Sequence, residues 1–280
     1  MTTEEFVLLM IRWGNLKAKV KSRFQYTEYA KRNEKLRDKY RGKRCFILGN
    51  GESLRQKNLA LLKDEVVFVT NGFYKCEACA EVEPNYYLLV DDAFFKGKLG
   101  HDLLAGIECL KEYEHKPEFI VPYSMVPVIQ EDYKWNRWTN VYYIDAGMSF
   151  HKGYNKQWDM TQIVAAPQCV VQVAMLAATF MGFEDIYLLG VEQTNIFDTI
   201  NMYLGIGPSN YVYAEEKSSD SWMQLRTLHT LDEQLRGYAR IFELYKEIYR
   251  YCRNMGVEIY NCTPESLIDS IPKKEYESLF

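Results

Sequence analysis

The 280-residue sequence has no run of 18 or more apolar residues, which argues against a membrane-spanning helix. It lacks the short apolar segment with a small-residue cleavage site that marks a secretory signal. Seven cysteines, odd in number and scattered, make no disulfide framework, so a reducing cytoplasm is expected. Cys76 and Cys79 form a C-x-x-C, but no second pair and no suitably spaced histidine completes a zinc site; they read as core or surface thiols. No internal repeat or low-complexity segment occurs. Neither common phosphate-loop signature is present: the stretch "KRCFILGNGESLRQ" (43–56) has Leu54 where G-x-G-x-x-G needs glycine, and no Gly-Lys-Ser/Thr ending.

What is present is length enough for a large core, and 22 tyrosines with 5 tryptophans, rings that suit packing or stacking. The net charge of −4 hides an asymmetry. Residues 1–44 carry 13 Lys/Arg against five acids, a balance of +8 that leaves −12 on the rest. Phe6, Leu9, Met10, Trp13, Leu16 and Val20 recur at helical spacing with bases on the other face. Residues 1–43 therefore read as a basic amphipathic helical leader. It either lies on an anionic membrane surface through residues 1–24 or packs on the body with its basic face in water. The acidic body argues against a nucleic-acid partner.

Beyond the leader, apolar runs alternate with helical patterns. Strands are expected at 44–49, 65–70, 86–90, 118–122, 141–144, 186–190 and 257–260, and helices from Ser53 (as N-cap), over 169–181 and over 235–255 with Gly256 as its stop. Continuous apolar strands separated by helices imply an α/β, Rossmann-like, mostly parallel sheet covered on both faces, here one domain over 44–280. Residues 193–228, weakly periodic and rich in Asn, Ser, Gly and Tyr, read as a lid insertion.

In an open parallel sheet ligands bind beyond the carboxyl ends of the strands. The residues delivered there are Gly49, Asn50, Gly51, Asn71, Asp91, Asp92 and Glu192. The glycines would let backbone amides approach a phosphate, or simply make a tight turn; the asparagines could read a ribose or base edge. Paired Asp91 and Asp92 could bind Mg²⁺ or Mn²⁺, or cap a following helix that begins at Ala93.

"CFILGNGESL", "VTNGFY", "MGFEDIYLLGVE", "LHTLDEQL" and "GVEIYNCTPESL" occur in the order seen in bacterial sialyltransferases of the lipooligosaccharide type, and in related families that share their fold. The sequence resembles these over about 44–280. The resemblance implies a glycosyltransferase of polysaccharide (lipopolysaccharide or capsule) biosynthesis, acting with inversion on a CMP-sugar donor and a surface-glycan acceptor; the cysteines place it in the cytoplasm and the leader would make it peripheral on the inner face of the membrane. It requires no cofactor, with Mg²⁺ or Mn²⁺ as the exception, and homo-oligomers fit the same pattern. It puts Gly49, Asn50, Gly51 and Ser53 on the donor's phosphate and sugar, Asn71 on the nucleotide or sugar, and Asp91, Gln168, Glu192, Thr263 and Ser266 among the substrate contacts. His229 falls where the family has its base, and Tyr203, Tyr211 and Tyr213 are candidates to meet the leaving phosphate's charge. The sequence departs from the family at Pro167-Gln168-Cys169, where the family has small Ser/Thr-Gly residues, and at Glu192-Gln193, where it has Asp. Two other readings stand beside this one: a Mg²⁺-dependent diphosphotransferase resembling pterin diphosphokinases, and a non-catalytic glycan-assembly partner.

Overall fold

The structure is a computed structural model, and it describes residues 3–22, 27–76, 79–95, 97–151, 153–154, 156–205 and 229–280. Its centre is a seven-stranded sheet. In chain order β1 is Arg44–Leu48, β2 Val66–Thr70, β3 Tyr86–Leu88, β4 Glu118–Pro122 and β5 Val141–Ile144; β6 (Met148–Ser149) and β7 (Ala165–Ala166) pair apart from the sheet; β8 is Asp185–Leu189 and β9 Glu258–Asn261. The order across the sheet is β5-β4-β3-β2-β1-β8-β9, and every pair is parallel. The chain runs outward from β1 through β5, then crosses back to add β8 and β9 on the other side of β1. The topological switch point therefore falls between β1 and β8.

Strand side chains alternate between faces, and β1 shows how that builds two cores. Cys45 and Ile47 join one cluster, Phe46 and Leu48 the other. On the first face lie α5 (Val170–Phe180) and the long helix Leu231–Asn254, here α7, through Leu176, Leu244, Ile248 and Cys252. On the second lie α4 (Gly97–Ile107), through Leu103 and Ile107, and several 3₁₀ turns. Phe46 is fully buried and stacks at 5.2 Å on Tyr187 and 5.8 Å on Phe280. Burial of one such ring stabilises the fold by about 1.5–3 kcal/mol. This is the mostly parallel, Rossmann-like architecture covered on both faces that the apolar runs predict.

Three local expectations are corrected. Ser53 caps no α-helix; it lies inside a 3₁₀ turn, Glu52–Gln56, that Gly51 precedes in extended conformation. The stretch expected as an irregular insertion begins with a helix, α6 (Asn195–Leu204); the rest of it, 206–228, lies outside the described residues. α7 starts at Leu231, four residues before the expected position, because Thr230-Leu-Asp-Glu233 is a capping box in which the Thr230 N–H donates to Glu233 Oε2 at 2.9 Å.

The leader is not uniform. Its first helix, α1 (Thr3–Ser22), is followed by α2 (Thr27–Asn33), and from Asn33 onward the chain is built into the body. Leu36 is fully buried, and the buried Asn33 amide donates to the carbonyls of Tyr143 (2.6 Å) and Met160 (2.7 Å). α3 is one short turn, Cys79–Val82. No described helix is long and apolar enough to cross a membrane.

Candidate functional site

The Gly49-Asn50-Gly51 turn prolongs the β1–β8 pairing past the ends of both strands. Gly49 N–H donates to the Leu189 carbonyl at 2.8 Å and Gly51 N–H to the Gly190 carbonyl at 2.9 Å. The chains approach so closely that a Cβ on Gly49 would lie 2.3 Å from the Gly190 oxygen. At Gly51 the constraint is a side chain: a Cβ there would lie 1.3 Å from Glu192 Oε2. Glu192 is 8% exposed, and its Oε1 accepts the Ser53 N–H at 2.9 Å. The amides of Gly49, Gly51 and Ser53, read from sequence as a phosphate cradle, are thus bonded to the end of β8. The carboxylate of Glu192 takes the position that an incoming anion would need at Ser53.

The side-chain oxygens of this turn and its neighbour are in the opposite condition. Asn50 Nδ2 donates to the Thr70 carbonyl at 3.0 Å, which fixes the amide and leaves its Oδ1 as an acceptor. Asn71 takes a left-handed conformation, φ 49°, that asparagine tolerates better than most residues. Its carbonyl accepts the Tyr87 hydroxyl at 2.6 Å, and that oxygen accepts the Tyr74 N–H at 2.9 Å. Asn50 Oδ1, Ser53 Oγ and Asn71 Oδ1 are all buried and have no hydrogen-bond partner among the described residues. A buried polar atom left unpaired costs about 1–3 kcal/mol. Three of them stand together at the carboxyl ends of adjacent strands β1 and β2, where waters or a ligand could supply the missing partners.

The closing motif "NCTPESL" supports this site from behind. Thr263 Oγ1 accepts the Val191 N–H at 3.1 Å, and the Ser266 hydroxyl donates to the Val191 carbonyl at 2.7 Å. Asn261 Nδ2 donates to Ser266 Oγ at 2.9 Å, and the Leu267 N–H donates to the Glu192 carbonyl at 2.8 Å. Thr263 and Ser266, expected among the substrate contacts, are buried and bonded to the Val191 backbone instead; they hold the segment that carries Glu192.

The remaining candidates are dispersed. Gln168 is exposed before α5, and its N–H donates to Gln172 Oε1 at 3.0 Å, while Gln172 Nε2 donates to the Ile241 carbonyl of α7 at 2.9 Å. Asp91 is exposed, and Asp92 Oδ1 accepts the Ser124 hydroxyl at 3.1 Å at the head of a 3₁₀ turn, Asp92–Phe95. Among the described residues no three His, Cys, Asp or Glu side chains come close enough to share a metal. His229 has a 53% exposed side chain with Nδ1 3.9 Å from Glu233 Oε2, and its carbonyl accepts the Tyr203 hydroxyl at 2.5 Å. Tyr203 lies at the far end of α6 from Glu192, about 12 Å of helical rise from Asn195. Tyr211 and Tyr213 lie outside the described residues. Sequence reasoning missed Thr70 and Tyr87, which fix Asn50 and Asn71; a lone threonine closing the apolar run "VVFVT" was the available signal.

No protein-family model matches the chain, and no curated protein sequence matches it. Among solved structures, a sialyltransferase, CstII from Campylobacter jejuni, solved in complex with a substrate analogue, cytidine-5′-monophosphate, aligns with 82% of this chain and 84% of its own at 16% identity and a TM-score of 0.40.

Proposed function

We propose that this protein is a glycosyltransferase that holds a nucleotide-sugar donor beyond the carboxyl ends of β1, β2 and β8. The observation that carries the reading is the trio of unpartnered buried oxygens, Asn50 Oδ1, Ser53 Oγ and Asn71 Oδ1. Asn50 Oδ1 is an acceptor fixed by the bond its own Nδ2 makes to Thr70, and Asn71 Oδ1 is a second acceptor beside it; both call for O–H or N–H donors, and ribose and sugar hydroxyls and an exocyclic base amine provide them. Ser53 Oγ can also donate, and so can face the phosphate that the backbone amides cannot. The motif resemblance makes the nucleotide CMP and the transferred sugar sialic-acid-like. In the transfer the acceptor hydroxyl oxygen attacks the anomeric carbon, the bond from that carbon to the phosphate oxygen breaks, and the nucleotide leaves with the electron pair. The exposed imidazole of His229 takes the hydroxyl proton.

Nucleotide release from CMP-, UDP- and GDP-sugars in the presence of mixed glycan acceptors tests this reading. CMP release supports it. Turnover of ATP with Mg²⁺ and of no nucleotide sugar would replace it with a diphosphotransferase, and tight nucleotide binding with no turnover would leave a non-catalytic partner.

A further inference from the structure

Helix α1 has two apolar faces, and the body uses the smaller one. Leu8, Ile11, Asn15 and Ala18 are partly buried at one-turn spacing, while their neighbours along the helix are exposed. Asn15 is the clamp: its Nδ2 donates to the Ser149 carbonyl at 3.1 Å and its Oδ1 accepts the Ser149 N–H at 2.9 Å, so the side chain pairs with β6 as another strand would. The stripe read from the sequence, Phe6, Leu9, Met10, Trp13, Leu16 and Val20, is the other face, and each of these residues is 48–60% exposed. At 3.6 residues per turn Trp13 stands about 180° round the helix from the docked face. Of the two readings of this helix, packing on the body holds, but through the other face; the stripe stays largely exposed, with Phe6 and Met10 edging a cleft shared with Gly147 and Ser149 and Leu16 edging another beside Met148.

Charge lies where such a face needs it. Lys17 sits over the Trp13 ring, Nζ 3.4 Å from the centroid, with its stem along the apolar stripe. Arg12 and Lys19 occupy the flank between the two faces. There they line a cleft of about 380 Å³ together with Asn15, Met148, His151, Lys156 and Asp159, whose carboxylate is already held by Arg37. Among the described residues no ion pair engages Arg12, Lys19 or Lys156. An apolar face with cations at its rim and a basic cleft level with that rim is the arrangement of an interfacial helix lying in a headgroup layer.

We propose that α1 anchors the protein on an anionic bilayer surface, its outward face among the acyl chains and the Arg12-Lys19-Lys156 cleft against lipid phosphates. Charge complementarity selects this occupant over a second copy of the chain. A symmetric pairing through the stripe would bring Lys17 and Lys19 of both copies together, whereas anionic headgroups neutralise them. The acidic remainder of the chain, −12 beyond residue 44, would be held off the same surface, which fixes the orientation. β6 follows the carboxyl end of β5, so α1 docks at the same end of the strands as the Asn50–Asn71 site, three to four strands or about 14–19 Å away. This inference stands apart from the proposed activity and fails or survives without it.

Co-sedimentation of the full chain with phosphatidylcholine vesicles, with and without phosphatidylglycerol, is the test. Binding is expected only with phosphatidylglycerol and should weaken as salt rises. Trp13→Glu should abolish it. Replacing both Arg12 and Lys19 by alanine should lower partitioning on the order of 30-fold, at roughly fivefold per cation. All three positions are exposed, so an unchanged thermal midpoint should confirm that the variants fold. Equal binding to neutral vesicles, no binding to either kind, or retention by Trp13→Glu would overturn the proposal. So would a concentration-dependent dimer that Trp13→Glu dissociates, in the absence of vesicle binding.

Discussion

The carboxylate of Glu192 accepts the backbone N–H of Ser53 at 2.9 Å and fills the space that a side chain at position 51 would occupy. Gly51 is extended, φ −75° and ψ 151°, so alanine would suit its backbone; only the carboxylate excludes it. Gly51→Ala should therefore cost about 1–3 kcal/mol by displacing Glu192 and leaving the Ser53 amide unpaired. In a Glu192→Ala background the same substitution should cost little more than the background itself. Urea denaturation of the four variants of this cycle reads the coupling directly, and additive losses would contradict it.

Thr263→Val keeps the shape and removes the acceptor of the Val191 N–H. The amide is then left buried and unpaired, for a loss of about 1–3 kcal/mol in the same assay. Ligand affinity should change less than stability, because Thr263 stands behind the site and not in it.

Ser53 gives the contrary signature. Its hydroxyl is buried without a partner, so Ser53→Ala should leave the unliganded protein as stable or raise its stability by up to about 1 kcal/mol. The same change should weaken nucleotide-sugar binding. A substitution that stabilises the fold and weakens the ligand separates a binding residue from a structural one.

His229→Ala should reduce transfer by about 10²–10⁴-fold while nucleotide binding persists, the pattern expected when a proton acceptor is lost. Full activity in that variant would remove His229 from the mechanism. A thermal midpoint close to wild type is expected, since the ring is exposed.

The pre-β1 segment is tied to the body by charge. Burial pushes the Asp159 carboxyl up, but the N–H and hydroxyl of Thr161 and the Arg37 guanidinium outweigh it and hold Asp159 below its ordinary value. A depressed carboxyl stabilises the folded state above its unfolded-state pKa and loses that contribution as pH falls through the folded one. Wild type should therefore lose stability below about pH 4 more steeply than Asp159→Asn, measured as thermal midpoint against pH.

The sheet was legible because strands buried on both faces are continuous apolar runs. "CFIL", "VVFV" and "IYLL" carry that signal whatever surrounds them, and β4 and β5 were placed to the residue. α4 was not legible, since Gly97, Gly100 and Gly106 lower its helical propensity, and α6 was hidden by its Asn and Thr residues. At the site, the positions of Asn50 and Asn71 at strand ends followed from local pattern. That Glu192 closes over Gly51 did not, because the contact joins residues 141 apart in the chain and depends on how two turns meet. For the same reason the glycines could be read as a phosphate cradle when their amides belong to β8.

Calorimetric titration of CMP and of ATP into wild type and Asn71→Gly tests the central claim most directly. Glycine keeps the left-handed backbone at position 71 without strain and removes only the amide, so the comparison isolates Asn71 Oδ1 and its partner. The account predicts that CMP binds, that ATP does not compete for the site, and that Asn71→Gly weakens CMP at least tenfold, the equivalent of one hydrogen bond of about 1.4 kcal/mol. Binding of ATP alone, or CMP affinity unchanged in Asn71→Gly, would contradict it.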